Sequence, residues 1–414
     1  MTTQKYDVLV IGAGPSGSVA ASYLHNNGIK VKVVEKTKFP RFVIGESLIP
    51  RVMDNFQEAG LLDCVMDKGF EKKFGARFIR NNKEFCLFDF SEKYGEGWSW
   101  TWQLPRADFD NELIQECIRK GVDVSFETEV IDVKFNGKKS TTTIKDKDGQ
   151  ISEIEANFII DSSGYGRVLP RLLNLSQPST VTENSSIFTH VKETNRPVKG
   201  RREAMTITFD ILETKVWIWV IPFSNGNTSL GVVGPTSYIN SLHEDPAEAL
   251  RIAFRQSDEY RDRFEGYEFL FEPKKIENYS CAVKEMCGPG FTLTGNSAEF
   301  LDPVFSSGVC FATESGLLSA KLYLKEHNGE EVDWQAEYAD YIQRGVRTFA
   351  TYVKEWYTGN LQTLFFHRPE NPEVKEKICS VLAGYVWDLS NPLVKKHDSA
   401  VKNLAYTLQM QEQE

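Results

Sequence analysis

Three groups of residues in this 414-residue chain have types and spacings that do chemistry. Gly12, Ala13, Gly14, Pro15, Ser16 and Gly17 spell G-x-G-x-x-G between the apolar run Val8 to Ile11 and the helix-forming stretch Ser18 to Tyr23. The first glycine permits a turn that a Cβ would block, the second lets backbone approach a pyrophosphate, and the third lets helix and strand pack closely. The phosphates then meet the free N–H groups of the helix N-terminus. A second run, Ile29 to Val34, ends at Glu35, an acid placed at a strand tip to hydrogen-bond ribose hydroxyls. Strand, turn, helix, strand and acid in this order predict dinucleotide binding; an ordinary βα turn would leave Glu35 without a role.

The second group, Lys73, reads from its neighbours as a solvated amine beside Lys72. The third, Trp217 and Trp219, alternates in the run Val216 to Pro222 and reads from its residues as sheet core. Gly45, Glu46 and Ser47 stand between a helix cap and a loop lining a ligand.

The elements that must position these residues follow from periodicity. Lys36 to Pro50 reads as a loop, and Arg51 to Leu62 as a helix with Val52, Phe56, Ala59 and Leu62 on one stripe. Ala76 to Ile79 and Phe85 to Phe88 are short strands around the turn Asn81-Asn82-Lys83. Trp98, Trp100 and Trp102 alternate, which puts three indoles on one strand face, as core or as pocket wall. Asp108 to Lys120 is predicted helical with Leu113, Ile114, Cys117 and Ile118 inward. Strands are then expected at Val124 to Phe126, Glu129 to Phe135, Thr141 to Ile144 and Ala156 to Ile160. A second sheet is expected from Val181 to about Tyr279, including Thr206 to Phe209, Val216 to Pro222 and Thr228 to Val233, the last two joined by the turn Ser224 to Asn227. Phe291 to Thr294 resumes the nucleotide sheet, a loop runs from Gly295 to Gly308, Val309 to Lys325 is a helix facing the ligand, and Trp334 onward is helical.

The net charge of −10 argues against a nucleic-acid partner, which calls for a basic face. No run of eighteen apolar residues predicts an integral membrane segment, and the opening residues enter the first strand without a signal pattern, so a soluble, cytoplasmic protein is expected. The seven cysteines are odd in number and lack C-x-x-C spacing, and the six histidines are scattered, so neither a disulfide framework nor a metal site is expected.

The opening fingerprint, Pro105 to Leu113 (PRADFDNEL), Ile159 to Gly164 (IIDSSG) and Leu293 to Val309 (LTGNSAEFLDPVFSSGV) fall in an order that resembles FAD monooxygenases of the p-hydroxybenzoate hydroxylase fold. Within that group, W-x-W-x-I-P at Trp217 to Pro222, K-x-G-A-x-F opening at Lys73, and Gly45 to Pro50 look like the flavin-dependent halogenases. The resemblance implies an α/β fold: a Rossmann-like FAD domain in discontinuous segments (1–74, 105–182 and 280–330), a β-sheet substrate domain (75–104 and 183–279) and a C-terminal helical region (331–414). It implies FAD held by Gly12, Gly14, Pro15, Ser16, Gly17, Glu35, Lys36, Arg41, Glu46, Ser47, Arg106, Val130, Asp161, Gly164, Asn296, Asp302, Pro303, Ser307, Gly308 and Val309. Asn296 stands where the group has an aspartate on the ribityl chain; an amide still hydrogen-bonds a hydroxyl.

The implied activity is that of an FAD-dependent monooxygenase of the halogenase kind, acting through a flavin C4a-hydroperoxide on a small organic substrate. A halide would be oxidised, Lys73 would steer the halogen, and Trp217 and Trp219 would keep substrate off the flavin. Electrons would come from NAD(P)H or a partner flavin reductase, since no second G-x-G-x-x-G offers a nicotinamide site. The same layout also resembles geranylgeranyl reductases and related flavoprotein dehydrogenases, which reduce isoprenoid or lipid double bonds. A non-catalytic flavin-binding sensor is the reading of another class.

Overall fold

The computed structural model describes residues 4–81, 83–179, 184–193, 196, 207–367 and 372–411. Asn82, Val181 and Thr206, which the predicted turn and strands include, lie outside them. The strand Gln4–Ile11 is the centre of an eight-stranded sheet. It pairs in parallel with Val31–Val34 on one side and Ile151–Asp161 on the other; Asp123–Ser125 and Phe291–Leu293 extend the two sides, again in parallel. Lys139–Lys145 pairs antiparallel with the long strand Ile151–Asp161 and carries Glu129–Asn136. Val8 to Ile11, Val31, Val33, Val34 and Phe158 to Ile160 are all buried, the unbroken apolar run that a parallel strand covered on both faces needs.

The helix Pro15–Asn26 leaves the glycine turn, and the long helix Gly308–His327 lies against it. A Cβ added at Gly316 would stand 2.6 Å from the Ser16 carbonyl oxygen, so the two helices cross almost backbone to backbone. The expected helix at 108–120 is Arg106–Lys120 and ends in the left-handed Gly121, while Ile118, expected inward, is exposed.

A second, seven-stranded sheet runs Lys274–Glu277, Asn184–Lys192, Asn227–Pro235, Val216–Pro222, Ile207–Glu213, Gly75–Arg80, Glu84–Asp89. Its pairs are antiparallel except Ile207–Glu213 with Gly75–Arg80. Alternation along Val216–Pro222 divides its side chains between two cores. Trp217, Trp219 and Ile221 join the main core, whereas Ile218 and Val220 pack with Leu250, Ala253 and Phe254 of the helix Pro246–Arg255. The C-terminal helices Tyr341–Tyr357 and Asn360–Phe366 cover the far strands through Trp356 and Phe365, whose rings meet Phe78 at 5.4 and 4.8 Å. Among the described residues, no helix is long and apolar enough to cross a membrane.

Two local expectations are corrected. The tryptophan strand is only Thr101–Gln103, because Gly97 is left-handed and packs so closely on Tyr385 that a Cβ would lie 2.1 Å from its hydroxyl. Trp98, Trp100 and Trp102 still meet edge to face at 5.7 and 5.4 Å. The helix after Pro50 is Arg51–Glu58, shorter than the stripe suggests; it has no side-chain cap, and Ser47 is engaged elsewhere.

Two positions of the turn tolerate no Cβ. Gly12 has φ +102° with a Cβ position 2.4 Å from the Ser162 oxygen, and a Cβ on Gly17 would stand 1.9 Å from the Gly12 oxygen. Gly17→Ala is therefore expected to lower the unfolding free energy by about 1–3 kcal/mol. A denaturant midpoint that falls with an unchanged slope is the expected reading, and an unmoved midpoint would contradict the close approach.

Candidate active site

A cavity of about 570 Å³ runs from the glycine turn to the tryptophan strand. At one end it is walled by Gly12, Gly14, Pro15, Ser16, Glu35 and Lys36; along its length by Arg41, Glu46, Ser47, Arg106, Val130 and Gly164; and opposite by Asn296, Pro303, Gly308 and Val309. Trp217 and Trp219 close the inner end with Phe188, Ile207, Phe209 and Ile221. Segments more than two hundred residues apart in sequence thus share one wall.

The dinucleotide end is built from unspent donors. Gly14 caps the helix Pro15–Asn26 without any side-chain hydrogen bond, so the first-turn N–H groups remain for an anion. The second helix reaching the wall, Gly308–His327, is likewise uncapped by a side chain. Glu35 takes the Ala13 N–H at 3.0 Å on one oxygen and the Thr37 N–H at 2.9 Å on the other, which fixes the carboxylate beside the turn. Arg106 grips Asp110 with two bonds of 2.7 and 2.9 Å, and Arg41 adds a third of 3.2 Å, so one buried carboxylate orients two guanidiniums along the cavity. Uncapped helix ends, a glycine turn and two fixed arginines suit the pyrophosphate of FAD.

Five of the expected residues stand behind the wall. Gly17 is spent on packing. Asp161 is fully buried and accepts the Ser163 and Leu169 N–H groups at 2.9 and 2.7 Å, with burial pushing its carboxyl up from the ordinary range. Ser307 is the residue before the helix Gly308–His327. Asp302 caps Val304 N–H at 3.0 Å and receives Asn184 Nδ2 at 3.1 Å, Tyr279 Oη at 3.1 Å and Tyr357 Oη at 3.0 Å, so its carboxylate is saturated by protein donors. The fifth is Lys73.

The Lys73 ammonium is no surface group. It is 2% exposed and donates to Ser47 Oγ at 2.8 Å and the Leu48 carbonyl at 2.7 Å, neither a charged acceptor. Burial pulls the amine down to about 7. Ser47 lines the cavity and Lys73 stands one bond behind it.

The tryptophans are held by their indole N–H groups: Trp217 donates to Tyr357 Oη at 3.1 Å and Trp219 to Ser229 Oγ at 3.1 Å. Trp219 lies over its cross-strand partner Gly231, where a Cβ would come within 2.3 Å of the ring. Three contributors escape a motif-based reading: Tyr357, which ties Trp217 to Asp302, Tyr279, which donates to the same Asp302 carboxylate, and His190, whose Nε2 lies 2.7 Å from Glu46 Oε1. His190 and Glu46 are 144 positions apart. Among the described residues no cluster of histidine, cysteine and carboxylate side chains could hold a metal.

Gly231→Ala is expected to push the Trp219 ring off its seat, change the tryptophan fluorescence and lower stability by about 1–3 kcal/mol. Unaltered fluorescence and stability would mean that the strand does not hold the indole there.

The chain matches the FAD binding domain family over residues 5–249. It superposes on the crystal structure of a flavoprotein/dehydrogenase from Cytophaga hutchinsonii with a TM-score of 0.96 and 51% identity, covering 99% of this chain and 100% of that one. It is 29% identical to the 1H-pyrrole-2-carbonyl-[peptidyl-carrier protein] chlorinase of Pseudomonas fluorescens, over 94% of this chain and 91% of that protein. It is 27% identical to the corresponding brominase of Pseudoalteromonas luteoviolacea, over 93% of each. With its fingerprint, its two uncapped helix ends and these relatives, the chain belongs to the FAD binding domain family and is an FAD-dependent oxidoreductase of the halogenase-like kind.

Proposed function

We propose that this enzyme oxidises a halide and transfers the halogen to an electron-rich aromatic or heteroaromatic ring, the pyrrole-2-carbonyl group of the two carrier-protein halogenases being the model substrate. Bound and reduced, FAD supplies two electrons to O₂ and so an oxygen that a halide can accept. NAD(P)H or a flavin reductase is the proposed electron donor.

The observation that carries this reading is Lys73. An amine held by a hydroxyl and a carbonyl, without a carboxylate, keeps a neutral fraction at pH 7 and can present either a proton or a lone pair. Trp217 and Trp219, fixed by Tyr357 and Ser229, wall the inner end so that an organic ring meets the halogen beyond them. Ser47 connects the cavity to the amine and orients it. The second reading, an FAD-dependent reductase of unsaturated isoprenoid or lipid, draws support from the apolar inner wall and from the dehydrogenase relative, but gives Lys73 no task.

Lys73→Ala is expected to keep FAD and to lose at least about a hundredfold in halogenated product, measured by mass spectrometry with bromide and a pyrrole-2-carbonyl thioester. Undiminished product would contradict the role.

The same residue makes a stability prediction. Below pH 7 the amine is protonated in folded and unfolded chains alike, and the folded state bears a buried charge. Between about 7 and the ordinary lysine value of 10.5 the unfolded chain binds the extra proton, so this contribution to stability rises with pH. Lys73→Met should therefore raise the thermal midpoint most below pH 7, with the gain fading toward pH 10; a pH-independent difference would contradict a depressed pKa.

A further inference from the structure

The cavity wall holds an acid whose hydrogen bonding is incomplete. Glu46 is 2% exposed, its Oε1 is 2.7 Å from His190 Nε2, and its Oε2 is buried without a partner among the described residues. A buried carboxylate oxygen with no donor is costly and rare, and the remedies are a proton on it or a donor arriving from the cavity it lines. His190 is less enclosed than Glu46, with 11% of its side chain exposed against 1%, so of the two the imidazole is the more accessible to solvent.

The surroundings leave the proton to these two residues. Phe42, Phe223 and Phe271 ring the imidazole at 5.8, 5.4 and 5.0 Å, and Lys274 spends its charge on the faces of Phe42 and Phe271. On the loop side, Arg106 is paired with Asp110 and donates to the Gly45 carbonyl at 3.1 Å, Arg41 also pairs with Asp110, and Lys73 points to Ser47 and Leu48. Further along the His190 strand, Glu193 is neutralised by Arg263 and Arg196.

The chemistry proposed above needs such a proton. Halide oxidation balances as FADH₂ + O₂ + X⁻ + H⁺ → FAD + HOX + H₂O, and ring halogenation as HOX + ArH → ArX + H₂O. One proton is consumed for each halide oxidised, and it ends in the water formed as the second oxygen atom leaves. Oxidation of the flavin by O₂ to hydrogen peroxide consumes none, nor does saturation of a double bond by FADH₂. We propose that Glu46 and His190 form a proton store on the wall of the flavin cavity, loaded from solvent through His190 and discharged from Glu46 Oε2 to the leaving oxygen. The inference rests on the halide-oxidising reading.

Two measurements test it. Calorimetric titration of FAD into flavin-free protein, in two buffers of different ionisation enthalpy at pH 7, counts the protons taken up when the flavin covers Glu46. Wild type is expected to take up a fraction of a proton that Glu46→Gln, His190→Gln and the double variant all abolish alike, with Glu46→Asp retaining it. In single turnovers of the reduced holoenzyme with O₂ and bromide, compared at equal flavin occupancy, Glu46→Gln is expected to slow bromide-dependent flavin oxidation about tenfold or more above pH 7. A proton count of zero in wild type, or one that survives in both single variants, overturns the proton store even where bromide is oxidised. A wild type indifferent to bromide overturns the halide reading, and the store's part in it, whatever the proton count.

Discussion

The structure depends on backbone meeting backbone where no Cβ intervenes. Gly17 lies against the Gly12 oxygen, Gly12 against Ser162, and Gly316 against Ser16. These approaches bring the helix Pro15–Asn26 and the helix Gly308–His327 to the same cavity with their first-turn donors unspent. Two electropositive helix ends, joined by Arg41 and Arg106 on Asp110, create a strip suited to the anionic centre of a dinucleotide. Every other feature of the site is arranged around the strip, the tryptophan strand at its inner end and the Gly45–Pro50 segment along its side.

Parts of this were legible from residues alone because their causes are local. A glycine fingerprint constrains its own turn, and Glu35 follows one helix and one strand later, so both are read from spacing. Alternation in Val216–Pro222 needs only the pleat of a strand, and in the structure Trp217 and Trp219 lie in one core while Ile218 and Val220 lie in the other. The same argument fails at Trp98 and Trp100. There the left-handed Gly97, pressed onto Tyr385 nearly three hundred residues later, prevents extended pairing until Thr101.

What was not legible comes from contacts across the chain. Lys73 sits beside Lys72 in sequence, and only the pairing of Glu71–Lys73 with Thr101–Gln103 sends one inward and leaves the other over the Trp100 ring. Asp302 occupies a recognisable motif, yet Tyr279, Asn184 and Tyr357 converge on it from three distant segments and turn its carboxylate into a hub that steadies Trp217. Glu46 lies in a recognisable loop, but its histidine comes from the strand Asn184–Lys192 of the second sheet. Sequence motifs in this enzyme therefore mark much of the cavity wall, while the partners of Lys73, Asp302 and Glu46 are set by long-range packing.

The central claim is that the cavity oxidises halide. The direct measurement is a single turnover: reduce the holoenzyme anaerobically, mix it with oxygenated, weakly buffered solution with or without bromide, and record hydrogen peroxide and proton uptake together. The account predicts that bromide suppresses peroxide and that close to one proton more disappears for each flavin oxidised with bromide than without it. Equal peroxide and equal proton uptake with and without bromide would contradict it.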